Sequence, residues 1–221
     1  MEFTTNKCSE RGQAEIVIRC DNSVPIQDIE WLVALLESSV HNGVKYNAGE
    51  LVQVGWVLNR LEGIGRGLLL LREPDFQTVP IVWTDGVTQT LRHLRLQKDT
   101  AESLGLGGSM QFPTIRDSAI LGVDVARNIE SLILERTEDK GTDSGWFVGN
   151  LASPLDYNDP VNLRRVSLYE AAIECPLCLM FMSLPFGTTV RYSRGNTSVS
   201  REGATILPTS NSFLERLCRP K

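Results

Sequence analysis

Cys175-Pro176-Leu177-Cys178 is the spacing in this chain best suited to covalent chemistry. A dithiol of this form can cycle through a disulfide when its first thiolate is stabilised at a helix N-terminus. It can also supply half of a four-ligand zinc site. The surrounding residues complete neither arrangement. Ser167-Leu168-Tyr169-Glu170 has the pattern in which a serine caps a helix and a glutamate reaches back to it, so the helix precedes Cys175 and the motif falls at its end. There is no second Cys-x-x-Cys, and the two histidines, His41 and His93, both fall on expected helices in the first half. Packing of two small apolar thiols is the expected role. A small metal- or thiol-dependent activity at Cys175 and Cys178 is the alternative.

The remaining candidates for chemistry are sparse. Two histidines are few for acid–base catalysis, and His93, which shares its helix with Arg92 and Arg95, reads as a surface or boundary residue. No Ser-His-Asp order, phosphate loop, His-Glu-x-x-His or calcium loop occurs. Gly63-Ile64-Gly65-Arg66-Gly67 lacks the third glycine of a dinucleotide fingerprint at the required spacing. Asp156 and Asp159 form a carboxylate pair, but loop acids beside a proline generally form turns. The expectation is a protein that is not an enzyme, with no catalytic residue, metal or cofactor.

What stands out instead is a set of acids and aromatics: Glu138, Asp139, Asp143, Trp146, Asp156, Tyr157 and Asp159. It surrounds Asp143-Ser144-Gly145-Trp146-Phe147-Val148-Gly149-Asn150, where a turn-prone entry delivers a Gly-Trp pair and then a short apolar run. Aromatic and acidic side chains presented from loops suit a protein interface, in which Trp and Tyr act as anchors. Core packing is the competing role for Trp146. Charge is concentrated in the same place. Residues 117–160 hold nine acids and three bases, whereas residues 161–221 hold four acids and eight bases. An acidic band can be no more than a solvated surface, or it can be an electrostatic landing site for a basic protein.

The totals bound the rest. The chain has 221 residues, 42% hydrophobic and 22% charged, as in ordinary globular proteins. Its net charge of −5 argues against direct binding to nucleic acid, which needs a basic footprint. Five cysteines form an odd, sparse set that fits a reducing compartment. No stretch approaches the roughly 20 apolar residues that cross a bilayer. The first residues lack a basic segment followed by an apolar core, so the expectation is a cytoplasmic protein without membrane contact.

The elements that must position these residues read as α+β, with mixed or antiparallel sheets and a few packed helices. Strands are expected at 15–20, 51–61, 68–71, 79–83, 119–123, 132–134, 188–192 and 198–207. Apolar residues at helical spacing predict a helix over 25–41 and a second one from Thr84-Asp85 to Gly105. A short helix follows Ser167 until Pro176 stops it, and Phe213, Leu214 and Leu217 suit a final helical turn. The Gly-rich run at 105–113 divides the chain into an N-terminal α+β domain (1–112) and a second α+β domain (113–221).

Over roughly residues 117–195 the chain resembles a bacterial toxin-immunity protein family, that of the domain of unknown function 2185 type. The resemblance is carried by Arg136-Thr137-Glu138, Asp143-Ser144-Gly145-Trp146, the acidic loop, the short helix, Pro176 and Pro185-Phe186-Gly187-Thr188. It implies a cytosolic antidote encoded beside a toxin that is delivered by contact-dependent or type VI-like secretion. Such an antidote binds its toxin and blocks it, and the resemblance implies no catalytic residue. An acidic antidote suits a basic toxin, particularly a nuclease. A ligand-sensing scaffold module is a further alternative.

Overall fold

The computed structural model describes residues 1–125, 130–138 and 141–217. The protein is α+β with two mixed sheets and helices. It forms two compact units, Met1–Leu94 and Arg95–Lys221, so the Gly-rich run at 105–113 lies inside the second. Among the described residues, no helix is long and apolar enough to cross a membrane. Asp139 and Cys218 lie outside the described residues.

The first unit is built on strands β1 (Glu2–Thr4), β2 (Glu15–Arg19), β3 (Leu51–Val54), β4 (Val57–Gly63), β5 (Leu68–Pro74) and β6 (Trp83–Asp85). They are ordered β1-β2-β5-β4-β3, with β6 also beside β5, and only the β2–β5 pair is parallel. Helix α1 (Ile26–His41) buries Ile29, Leu32, Leu36 and Val40, whose spacing forms one stripe. Ile29, Leu32 and Leu36 belong to a core with Ile16, Ile18, Leu61 and Leu71.

Two expectations change here. The run at 51–61 is a hairpin, not one strand, because Gly55 takes a positive φ of 61° and turns the chain with Trp56 between Val54 and its partner Val57. The second helix, α2 (Thr88–Ser103), begins after Thr84-Asp85, which belong to β6; of 79–83 only Trp83 is in a strand. The helix start is set by a residue far away in sequence. The Glu73 carboxylate, buried at the end of β5, accepts from the first-turn amides of Gln89 at 3.0 Å and Thr90 at 2.6 Å. A carboxylate in this position satisfies orphan amides and complements the helix dipole.

His93 is a core residue of the first unit rather than a surface or boundary one. Only 8% exposed, it sits against Phe76, with ring centroids 4.6 Å apart, and Trp56, at 5.8 Å. Burial, helped by the charge of Arg92, pushes its pKa down to about 4. An unfolded histidine titrates near 6.5, so between these values the unfolded chain binds more protons and stability rises with pH. The histidine's contribution is present above pH 6.5 and is lost as pH falls through about 4. The full loss is on the order of 3 kcal/mol. Urea unfolding across this range should show the decline in the wild type, and a smaller one in His93→Phe; equal declines would contradict the assignment.

The second unit carries β7 (Ser118–Gly122), β8 (Ser131–Arg136), β9 (Asp143–Asn150), β10 (Leu163–Ser167), β11 (Thr188–Ser193), β12 (Asn196–Arg201) and β13 (Ala204–Ile206). Their order is β10-β7-β9-β8-β11-β12-β13, with β7–β9 the parallel pair. The run expected as one strand at 198–207 is broken where Glu202 and Gly203 both adopt positive φ. Helix α3 (Leu168–Glu174) starts at the expected capping box: Ser167 Oγ accepts from the Glu170 amide, and Glu170 accepts from the Ser167 amide. A short helix, α4 (Phe213–Leu217), ends the described chain. One sheet face buries Leu121, Leu134, Trp146, Val148, Val190 and Val199; the alternate residues Ile120, Ile133, Glu135 and Phe147 remain partly exposed.

Candidate functional site

Asp143-Ser144-Gly145-Trp146 builds an irregularity into the strand β9. Ser118 of β7 pairs with Asp143, yet Ile120, two residues on, pairs with Phe147, so β9 carries two extra residues at this point. Each residue of the motif has a part in it. Asp143 Oδ1 accepts from the Gly145 amide at 3.0 Å. Ser144 Oγ donates to the Ser118 carbonyl at 2.7 Å and accepts from the Trp146 amide at 3.2 Å. Gly145 takes φ 75°, and a Cβ there would overlap the Thr137 carbonyl, so no other residue fits without a shift.

Trp146 then points inward and Phe147 outward. Trp146 is 1% exposed, and its Nε1–H donates to the Met182 carbonyl at 3.1 Å. Its expected role as an interface anchor is therefore corrected: the indole is a core element, with its polar edge satisfied inside the unit. Opposite it on β8 lies Arg136, buried as well. Arg136 donates from Nε to the Ser144 carbonyl at 3.2 Å and from Nη1 to the carbonyls of Gln111 and Leu184. Its guanidinium also stands 5.6 Å from the Trp146 ring centroid and 4.6 Å from that of Phe186.

The outward side forms a cleft of about 320 Å³. Ile120 and Phe147 supply its apolar lining, and Glu135, Glu138 and Asp143 supply carboxylates. Asp143 also faces the exposed Arg165 of β10, with Oδ2 and Nη2 3.6 Å apart. A pair this open to solvent is worth little in stability and leaves the carboxylate available to a competing cation.

The other predicted residues gather toward the far end of β9, around Asn150. Tyr157 lies against Gly122 and Gly149, where an added Cβ would come within 2.6 Å and 2.8 Å of its ring. Its hydroxyl donates to Asp124 Oδ1 at 2.7 Å and accepts from the Asn150 amide at 2.8 Å. Partial burial raises the Asp124 pKa, but hydrogen bonds from Tyr157, Ser153 and Asn150 outweigh it and hold the carboxyl below its ordinary value. Asp156 and Asp159 are exposed turn formers; they accept from the amides of Asn158 at 2.9 Å and Val161 at 3.0 Å. Phe147 joins the two ends of this face, its ring edge-on to Tyr157 with centroids 5.4 Å apart.

The predicted set thus divides into Glu138 and Asp143 at the cleft, Asp156, Tyr157 and Asp159 in the loop, and Trp146 in the core. Phe147, Ile120 and Glu135 complete the outer surface but were not among the expected residues. Strand alternation from Trp146 was the available signal for Phe147. Among the described residues, no group of three or more His, Cys, Asp or Glu side chains is arranged to hold a metal ion. No family model, curated protein or solved structure matches this chain.

Arg136 offers a direct check of this local architecture. Lysine cannot reproduce its planar set of donors to separate carbonyls. Arg136→Lys should lower the unfolding free energy by about 2–4 kcal/mol, measured by urea titration followed through tryptophan fluorescence. An unchanged midpoint would show that the guanidinium contacts contribute nothing net.

Proposed function

We propose that this chain is a binding protein that neutralises a basic protein partner, and that the partner is a cognate secreted antibacterial toxin, a nuclease being the best fit. The observation that carries this reading is the outward face around Phe147. There an apolar floor and three carboxylates share one cleft within the most acidic part of the chain. Such a surface suits basic side chains with aliphatic stems, which can lay their methylenes on Phe147 and Ile120 while their charged ends meet Glu135, Glu138 and Asp143. A nuclease cleft that attracts phosphate presents side chains of this kind.

Aromatic rings held in place before binding lose little freedom on association. Tyr157, pinned by its two hydrogen bonds and by Phe147, meets that condition. The resemblance of Asp-Ser-Gly-Trp to toxin-immunity proteins supports the same reading by a separate route. The motif's own residues chiefly shape the strand, so partner contact falls to the side chains turned outward beside it. Neutralisation would take place in the cytoplasm, which the sparse, odd cysteine set favours.

The test is co-expression with the product of the adjacent gene as the candidate toxin, following growth and DNA integrity. Wild-type chain should restore growth and form a stoichiometric complex without turnover. The double variant Glu135→Lys/Glu138→Lys should keep its fold but slow association roughly tenfold at low salt and flatten the salt dependence. Failure of the wild type to protect would remove the antidote reading. Unchanged association by the folded double variant would remove this face as the interface.

A further inference from the structure

The Cys175 and Cys178 sulfurs lie 2.6 Å apart, with both side chains fully buried. One thiol hydrogen-bonds the other, so the two sulfurs are already neighbours with nothing between them. The backbone explains the approach. Cys175 closes α3, its amide donating to the Ala171 carbonyl at 2.8 Å. Pro176 cannot continue the helix's hydrogen bonding, and Pro176–Phe181 winds instead as a tighter helical turn. The Cys178 amide then donates to the Cys175 carbonyl at 3.0 Å, folding the second thiol back over the first.

We propose that Cys175 and Cys178 are a reversible oxidation site, closing to an intramolecular disulfide by exchange with a low-molecular-weight disulfide. This inference is independent of the proposed partner. The two thiols have different roles in it. The hydrogen bond from Cys178 lowers the pKa of the Cys175 thiol, whereas full burial pushes that of Cys178 up. The Cys175 thiolate therefore attacks one sulfur of the donor, and the donor's S–S bond breaks to release one thiolate. Cys178 then gives up its proton and attacks the Cys175 sulfur of the mixed disulfide, releasing the second donor thiolate. The two released thiolates take up the two protons lost by the cysteines. The protein dithiol is oxidised, and one donor disulfide is reduced to two thiols.

Because both sulfurs are buried, the donor must reach them through local opening of the Pro176–Phe181 turn. The same part of the chain is tied to the rest of the unit. The Leu179 carbonyl accepts from Gln97 Nε2 at 3.0 Å, and that of Met182 accepts from Trp146 Nε1 at 3.1 Å. Tryptophan fluorescence can therefore report whether the fold is intact during the reaction.

The experiment incubates the full chain with excess oxidised glutathione at mildly alkaline pH, then alkylates it under denaturing conditions and maps its peptides by mass. The expected product carries a Cys175–Cys178 peptide lighter by two hydrogens and unalkylated at both positions. Cys8, Cys20 and Cys218 should be alkylated, so free thiols fall from five to three, and dithiothreitol should restore all five. Alkylation of both Cys175 and Cys178 would overturn the proposal, as would glutathione retained on either one. So would a cross-link that forms only once urea has unfolded the chain.

Discussion

The second unit depends on how it accommodates one buried cation. Arg136 is drawn into the sheet's covered side and satisfied there by carbonyls from three separate stretches, Gln111, Ser144 and Leu184, and by the faces of Trp146 and Phe186. Leaving a buried charge without such partners would cost several kcal/mol. The positions of β9, the chain before β7 and the segment after α3 are consequently linked through one side chain. Trp146 adds a second tie to the same segment through Met182. These contacts fix the inward side of β9, and the strand's alternation then sets what its outward side displays.

That division separates the motif from the surface it supports. Asp143, Ser144 and Gly145 form the bulge, and Trp146 anchors it in the core. Phe147 follows on the open face, between the carboxylates of the cleft and Tyr157. A bulge can redirect a side chain without a long loop, and this one directs an aromatic ring into an acidic setting. Gly122 and Gly149 serve the same face by leaving room for Tyr157, which closes the acidic loop back onto the sheet. The proposed antidote activity depends on this preformed surface, whereas the Cys175–Cys178 pair lies at the end of α3 and takes no part in it.

Much of the fold was legible in local pattern. The apolar stripe of α1, the capping box of α3, the strands at β2, β5, β7 and β8 and the final helical turn all declare themselves within a few residues. What was hidden depended on distant partners or on single backbone angles. Gly55 splits an alternating run into a hairpin, and its residue type alone did not require that turn. Glu73 fixes the start of α2 from another strand, and a ring pocket assembled from Trp56 and Phe76 buries His93 despite its arginine-rich neighbours. At the site, composition found the acids and Tyr157 but could not tell which ring of Trp146-Phe147 faced out, because that parity is set by the bulge and by Arg136.

The most direct test of the proposed interface is hydrogen–deuterium exchange on this chain with and without the candidate toxin, read residue by residue across the second unit. Binding through this face should slow exchange at the start of β9, the adjoining end of β8 and the loop that carries Tyr157. Protection confined to the first unit, or none at these segments in a complex that demonstrably forms, would contradict it.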